Sequence, residues 1–353
     1  MIIGVDAGAL SITDVRLRVG VWRVTYNLLK ELAKIDKKNE YRLFTFTPIG
    51  ERFGKNFKNV VVRPKIGWAS LQLPIELRRH PVDVFLGLSQ MLPHSSARTI
   101  GFIYDLGFLH HPEAYPGSQK RLVKITSDLV RRSDHIVTIS HAVKDDVRKT
   151  YGVGEKRMTV CYPGVNKMFA PKGTVKKGKY PYFLFIGALK PCKNVPGLLR
   201  GFARFLENQK EPYDLYLGGG DYWKDPEIHK EIEALELTSR VKQLGFIPDA
   251  KLAGYYRGSV TFVSPSLYEG FCLPAVEAMA CGCPVIGSTA GAFPEIVRDS
   301  GILVDSGDSR ALATAMHEVA NDVKKRSSLI KKGLQNAKRF RWETFTKTVF
   351  DLL

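Results

Sequence analysis

The sequence contains no run of 18 uncharged apolar residues, so no segment is expected to span a bilayer as a helix. Cysteine is scarce. Five residues, an odd number without C-x-x-C spacing, argue against a disulfide framework and read as reduced thiols of a cytosolic protein. Cys281 and Cys283 lie close together, but no His pair is near them, and no metal site is expected. D-x-D, a spacing that often holds a divalent cation against a diphosphate, is absent, and so is G-x-G-x-x-G. Acidic residues are outnumbered 35 to 53, a net charge of +18. Through Lys172 there are 28 basic residues against 15 acidic ones, and in the remainder 25 against 20, so the excess sits mostly in the first half. Such a field favours nucleic acid, anionic phospholipid or a phosphorylated acceptor, and a lysine-rich solubility device would look the same. No basic stripe interleaved with aromatics and no nucleic-acid motif is present, so nucleic acid is not an expected partner.

What is present fits a soluble globular protein of 353 residues, 44% apolar and 25% charged, long enough for two cores. The opening MIIGVDAG reads as a buried strand and not as a secretory leader, since it lacks a basic start and reaches Asp6 early. Strands IIGVD, YRLFTF, VVV at 60–62, DVFLGL, TIGFIYDL and HIVTIS alternate with helical runs, among them residues 21–35 and a basic helix over 119–133. KGTVKKGK at 172–179 is polar and reads as a linker. The alternation then restarts: YFLFIGAL, the helix VPGLLRGFARFLE, DLYLGGG, the helix PEIHKEIEALEL, VKQLGF and the helix DAKLAGYYRG. Two doubly wound parallel sheets are expected, over residues 1–171 and 180–337. LGGGD at 217–221 is the glycine turn of the second.

The most informative stretch is residues 262–287, FVSPSLYEGFCLPAVEAMACGCPVIG. It reads as strand end, loop, short helix and strand, with Pro274 suited to the first helical position and Gly282 to its end. Glu269 stands in the loop and Glu277 in what reads as the first helical turn. The amino end of that helix offers N–H groups and partial positive charge between two carboxylates. An anion and a polyol fit there together, and a sugar nucleotide carries both. An ordinary loop with two solvated glutamates would also satisfy the pattern.

EGF, a small residue, LP, a Glu eight positions after the first, AMACG and PVIG together resemble the signature of the retaining glycosyltransferases of family 4. Cys272 stands where a small Gly is usual. The resemblance implies the GT-B fold, an α/β architecture of two Rossmann-like domains facing a central cleft. It also implies a nucleotide-sugar donor, GDP- or UDP-linked, with no cofactor and no metal. Residues 338–353 are then expected as a helix returning to the first domain, which binds the acceptor.

By the same resemblance Glu277 would bind ribose hydroxyls and Glu269 those of the donor sugar. The backbone of Gly270, Phe271, Cys272 and Leu273 would meet sugar and phosphate. Lys193, in GALKPCKN, would stabilise the leaving diphosphate. The family's companion Arg is replaced by Ala188 and Cys192, and Lys190 is the nearest substitute. GAFPEIV, with Glu295, resembles the segment closing the nucleotide pocket. In the first half, Gly20 to Arg23 resembles the glycine-rich first loop, Arg23 matching its basic residue, and Trp22 is either an acceptor wall or a core indole. Tyr104, followed by Asp105, replaces the family's His near the reacting sugar, with His110 and His111 close behind. Ser140, beside His141, faces the acceptor side.

The expected function is a retaining, metal-independent hexosyltransferase, mannose being the first choice of sugar. Its acceptor would be a glycan or polyprenyl-linked saccharide. The expected place is cytoplasmic, peripheral at the inner face of an anionic membrane through the basic first half. The alternative is an impaired GT-B protein acting as a binding or scaffolding partner, motivated by Tyr104, Ala188 and Cys192 together.

Overall fold

A computed structural model describes residues 1–18, 20–220 and 226–353, without the side chain of Pro226. Asp221, the end of LGGGD, lies outside the described residues. The chain forms two compact units, one of residues 1–109, 117–164 and 341–353, the other of residues 110–116 and 165–340.

Among the described residues, the first unit holds a seven-stranded parallel sheet. Its strands are β1 (Ile2–Asp6), β2 (Glu40–Thr45), β3 (Phe57–Val61), β4 (Val84–Gly87), β5 (Arg98–Ile103), β6 (His135–Thr138) and β7 (Met158–Val160), in the order β3-β2-β1-β4-β5-β6-β7. The central strands are near-continuous apolar runs because helices cover both faces of a parallel sheet. Ile3 pairs with Val84, and Ile100 with His135. Helix Gly20–Ile35 turns Val24, Leu28, Leu29 and Leu32 inward, all at helical spacing. Trp342, Phe345 and Val349 of helix Trp342–Phe350 join the same core.

The second unit repeats the plan with six strands: β8 (Tyr182–Ile186), β9 (Asp214–Gly218), β10 (Val241–Gly245), β11 (Thr261–Ser264), β12 (Val285–Ser288) and β13 (Ile302–Val304), in the order β10-β9-β8-β11-β12-β13. Helix Val195–Glu207 buries Leu198, Leu199, Phe202 and Phe205 against Phe183. A Cβ on Gly201 would lie 2.6 Å from Leu312, so the bare backbone there lets helix Ser309–Asn321 approach. Residues 172–179 carry no helix or strand, and part of that segment is fastened to helix Asp249–Gly258. There Lys176 donates its amide to Gly254 O at 2.9 Å, and Arg257 donates to Thr174 O at the same distance.

Both sheets therefore share the strand order 3-2-1-4-5-6 of a doubly wound fold, the first with a seventh strand added. The order reverses between β1 and β4 in one unit and between β8 and β11 in the other. Loops at the carboxyl ends of those strands are where such sheets bind ligands.

Candidate functional site

In the second unit the reversal brings together two loops that are 70 residues or more apart in sequence. The loop after β8 ends in the turn Pro191–Lys193, and the loop after β11 leads into helix Leu273–Ala280. Leu267 donates its amide to Cys192 O at 2.9 Å. Asn194, at φ +52°, caps helix Val195–Glu207 by accepting from the Gly197 amide. Its Nδ2 donates to Pro265 O at 3.1 Å and to Ser306 O at 2.7 Å. One side chain thus fixes the loops after β8, β11 and β13 to each other.

On that frame Lys193 Nζ meets Glu269 Oε1 at 2.5 Å, with the two side chains 19% and 10% exposed. Ser266 Oγ donates to the same carboxylate oxygen at 2.8 Å. Burial disfavours the ammonium, but the Glu269 charge and hydrogen bond outweigh it and hold the Lys193 pKa above its ordinary value. The backbone of Glu269 is gripped from the other side. Ala292 donates its amide to Glu269 O at 2.8 Å, and a Cβ on Gly291 would stand 2.4 Å from that oxygen. Gly291 has φ +59°, so this close approach needs glycine on both counts. Gly219 serves likewise after β9: its absent Cβ would fall 1.8 Å from Gly187 O.

Glu277 lies in the second turn of helix Leu273–Ala280 and not the first, because the helix begins one residue before Pro274. It is 3% exposed and accepts a hydrogen bond from the buried Tyr256 hydroxyl at 3.1 Å. Gly282, at φ +74°, ends the helix as its sequence position suggests. A buried carboxylate and a buried ion pair therefore flank the helix amino end, an arrangement able to hold hydroxyls and an anion side by side.

A model of the group 1 glycosyl transferases matches residues 166–336, and a model of glycosyltransferase family 4 matches residues 19–168. The chain belongs to the family 4 glycosyltransferases. Among curated relatives it is 29% identical to O-antigen chain mannosyltransferase B of Escherichia coli, over 76% of this chain and 74% of that one. The match spans 52% to 62% of the length of the other curated relatives compared. Its fold is that of sucrose-phosphate synthase from Thermosynechococcus elongatus, with a TM-score of 0.83 at 21% identity over 99% and 97% of the two chains. It is also that of HepE from Anabaena, solved with UDP and glucose, with a TM-score of 0.73 at 17% identity over 99% and 98%. The GT-B architecture expected from the sequence is thereby established for the two sheets.

The remaining residues of this glycosyltransferase singled out in the sequence are placed as follows. Lys190 does not join Lys193; its Nζ lies 5.4 Å from the centre of the Tyr115 ring. Phe271 is buried edge-on to Phe340, and Gly270 and Cys272 are buried beside it. Leu273 is half-buried. Cys272 has φ +65°, so a glycine suits the position for its backbone and not for its size. Burial pushes the Cys281 and Cys283 thiols up to about 12, and both are neutral at physiological pH. His110 stacks on Tyr268 at 4.9 Å, and His111 pairs with Glu113.

In the first unit, Tyr104 donates its hydroxyl to Leu88 O at 2.7 Å, so the one donor it could offer a sugar is already engaged. Burial, and then the charge of Asp6, raise its pKa. Asp105 accepts from the Gly107 amide at 3.0 Å. Ser140 is buried and caps helix His141–Tyr151 by accepting from the Val143 amide at 3.2 Å. Gly20 opens its helix with nothing within 4 Å of a notional Cβ, so no crowding there demands glycine. Trp22 stacks on Tyr26 at 4.9 Å beneath the Arg18 guanidinium and packs against the core, while Arg23 lends its carbonyl to Asn27. Sequence reasoning missed Asn194, Ser266, Tyr256 and Gly291. For Asn194 a signal existed, an Asn directly before a Val-Pro helix start.

Proposed function

We propose that the chain moves a hexosyl group, mannose in the first instance, from a nucleotide sugar to a glycan or lipid-linked saccharide, with retention and without metal. The observation that carries this reading is the buried Lys193–Glu269 pair beside the amino end of helix Leu273–Ala280. A nucleoside diphosphate leaves with growing negative charge on its phosphate oxygens. Lys193 and the helix end supply positive charge already fixed in place for it. Glu269 accepts hydroxyls of the donor sugar, and Glu277, oriented by Tyr256, those of the ribose. The acceptor hydroxyl enters on the face from which the diphosphate departs. The similarity to the Escherichia coli O-antigen chain mannosyltransferase supports mannose, and HepE, solved with UDP and glucose, supports a nucleotide-sugar donor.

Thermal stability against UDP-, GDP-, ADP- and dTDP-sugars without divalent metal tests the donor. One nucleotide at about 100 times its dissociation constant stabilises the folded chain by roughly 2.7 kcal/mol, a clear rise in midpoint. Transfer with that donor should then vanish in Glu269→Gln. If no nucleotide binds at millimolar concentration, the binding or scaffolding reading takes its place.

A further inference from the structure

A groove of about 1080 Å³ opens in the first unit, at the ends of β1 and β4, where none of the residues considered so far for donor or acceptor lies. Its wall is apolar: Ile12, Phe46, Trp68, Met91, Leu92 and Ile125 line it. Basic side chains share the lining, with Lys65 on one side and Arg121, Lys124, Arg131 and Arg132 of helix Gln119–Arg132 on the other, against the single acid Asp128. Asp128 is engaged by Arg131 and Arg132, and Arg132 also ties down Leu92 O and Pro93 O. Arg121 and Lys124 make no hydrogen bond or ion pair among the described residues, and both side chains are exposed.

Trp68 is 7% exposed, and its indole N–H is turned to the buried carboxylate of Asp6, which Ser89 also engages, so the ring is held in the groove by its polar edge. One further feature points to a ligand. Beside the groove the chain exposes apolar side chains within a basic surround: Ile66 is 85% exposed and Leu71 53%. A free sugar would waste the apolar wall, and a bare anion would leave that wall wet. The charge and the wall are both matched by a hydrocarbon chain ending in phosphate.

We infer that this groove seats the lipid end of the acceptor: the diphosphate and first isoprenyl carbons of a polyprenyl-diphosphate-linked saccharide. The inference rests on the proposed transferase function for the word acceptor, but not for the ligand. Arg121, Lys124 and Lys65 meet the diphosphate, and the isoprenyl carbons lie on Trp68 and leave past Ile66.

The test is direct binding of farnesyl diphosphate to the full chain, read by tryptophan fluorescence, with inorganic diphosphate and farnesol as comparators. Farnesyl diphosphate should bind saturably and the other two should not. The quench should disappear in Trp68→Phe. The double variant Arg121→Glu/Lys124→Glu alters only exposed, unpaired side chains and should weaken binding roughly tenfold or more, as expected for reversed charge at a desolvated anion contact. Ile66→Glu should weaken it too. Both variants should keep the donor-induced rise in thermal midpoint. The inference is overturned by absent binding, by equal binding of inorganic diphosphate, or by unchanged affinity in the double variant. It is also overturned if the double variant loses phosphatidylglycerol vesicles but keeps farnesyl diphosphate, since the face would then be a membrane surface. Donor binding is read separately, so intact farnesyl diphosphate binding with no nucleotide bound would sink the transferase reading alone.

Discussion

Lys193 and Glu269 are each other's counter-ion in a place where water reaches little of either. Removing one partner of such a pair leaves an uncompensated buried charge, at a cost of about 3–5 kcal/mol. Lys193→Met should therefore lower the denaturant midpoint sharply. Adding Glu269→Gln to it should restore much of the stability while transfer stays at least roughly a hundredfold down. A double variant no more stable than Lys193→Met would mean that Glu269 does not depend on Lys193 in the fold. His135 gives a pH signature of a different origin. Its Nε2 shares a hydrogen bond with Thr159 Oγ1 at 2.9 Å, and burial first, then Arg98 and Arg157, lower its pKa below 6.5. Where the unfolded chain binds the proton and the folded chain does not, stability rises with pH. His135 thus contributes stability in full above pH 6.5 that is lost as pH falls through its lower folded value. Urea midpoints at pH 7.5 and 5.5 should lie closer together in His135→Gln than in the parent chain. At this scale the sequence marked Lys193 and Glu269 in patterned loops and Glu277 in the short helix that follows, and the structure joins the first two as an ion pair. The sequence hid their orienting partners, since Tyr256 and Ser266 act across the fold and carry no local signature.

Elements set the precision of those residues, and the loop after β12 is the clearest case. Gly291→Ala would place a Cβ 2.4 Å from Glu269 O at φ +59°. Gly117→Ala is a fair comparison, because Gly117 has φ +73° with nothing within 4 Å. Both variants should lose about 1 kcal/mol for the left-handed backbone. Only Gly291→Ala must also move the Glu269 backbone, so it alone should lower transfer by an order of magnitude or more. Equal activity in the two variants would show that the clasp on Glu269 is not needed. The sequence pattern reproduces helices Val195–Glu207 and Asp249–Gly258 to the residue, the first because it has an Asn194 cap and an amphipathic run, the second because Pro248 stands directly before it and an apolar strand follows. It yields no reading of the stretch holding β13 and helices Ser309–Asn321 and Val323–Ala337. A three-residue strand is too short to show a period. Helix Val323–Ala337 buries only Leu329, Gly333 and Ala337, so its core stripe is thin and it starts from an Asp322 cap. The turn and helix at Trp68–Gln72 and Leu73–Arg79, which border the groove, are similarly masked by Pro74 and a mixed charge pattern.

At the scale of the molecule the compact units are interleaved along the chain, residues 110–116 falling in the second and 341–353 in the first. A linear reading can place the last helix only by family resemblance, because its amphipathic pattern would suit either core. Its side chains settle where it packs: Phe345 is 1% exposed and Val349 fully buried, both in the cluster of Leu28, Leu29 and Leu32, while Arg98 donates to Leu352 O at 2.7 Å. The first unit's core is thus completed by the last residues of the chain. Phe345→Ala should cost it about 3–5 kcal/mol through lost burial and a residual cavity. If the two sheets open as separate cooperative units, the loss should register locally. Amide exchange should then quicken in Ile2–Asp6 and Arg98–Ile103 and stay unchanged in Tyr182–Ile186 and Thr261–Ser264. Quickening shared equally by both sets of strands would show instead that the two cores unfold as one, and that the chain's end stabilises the whole enzyme.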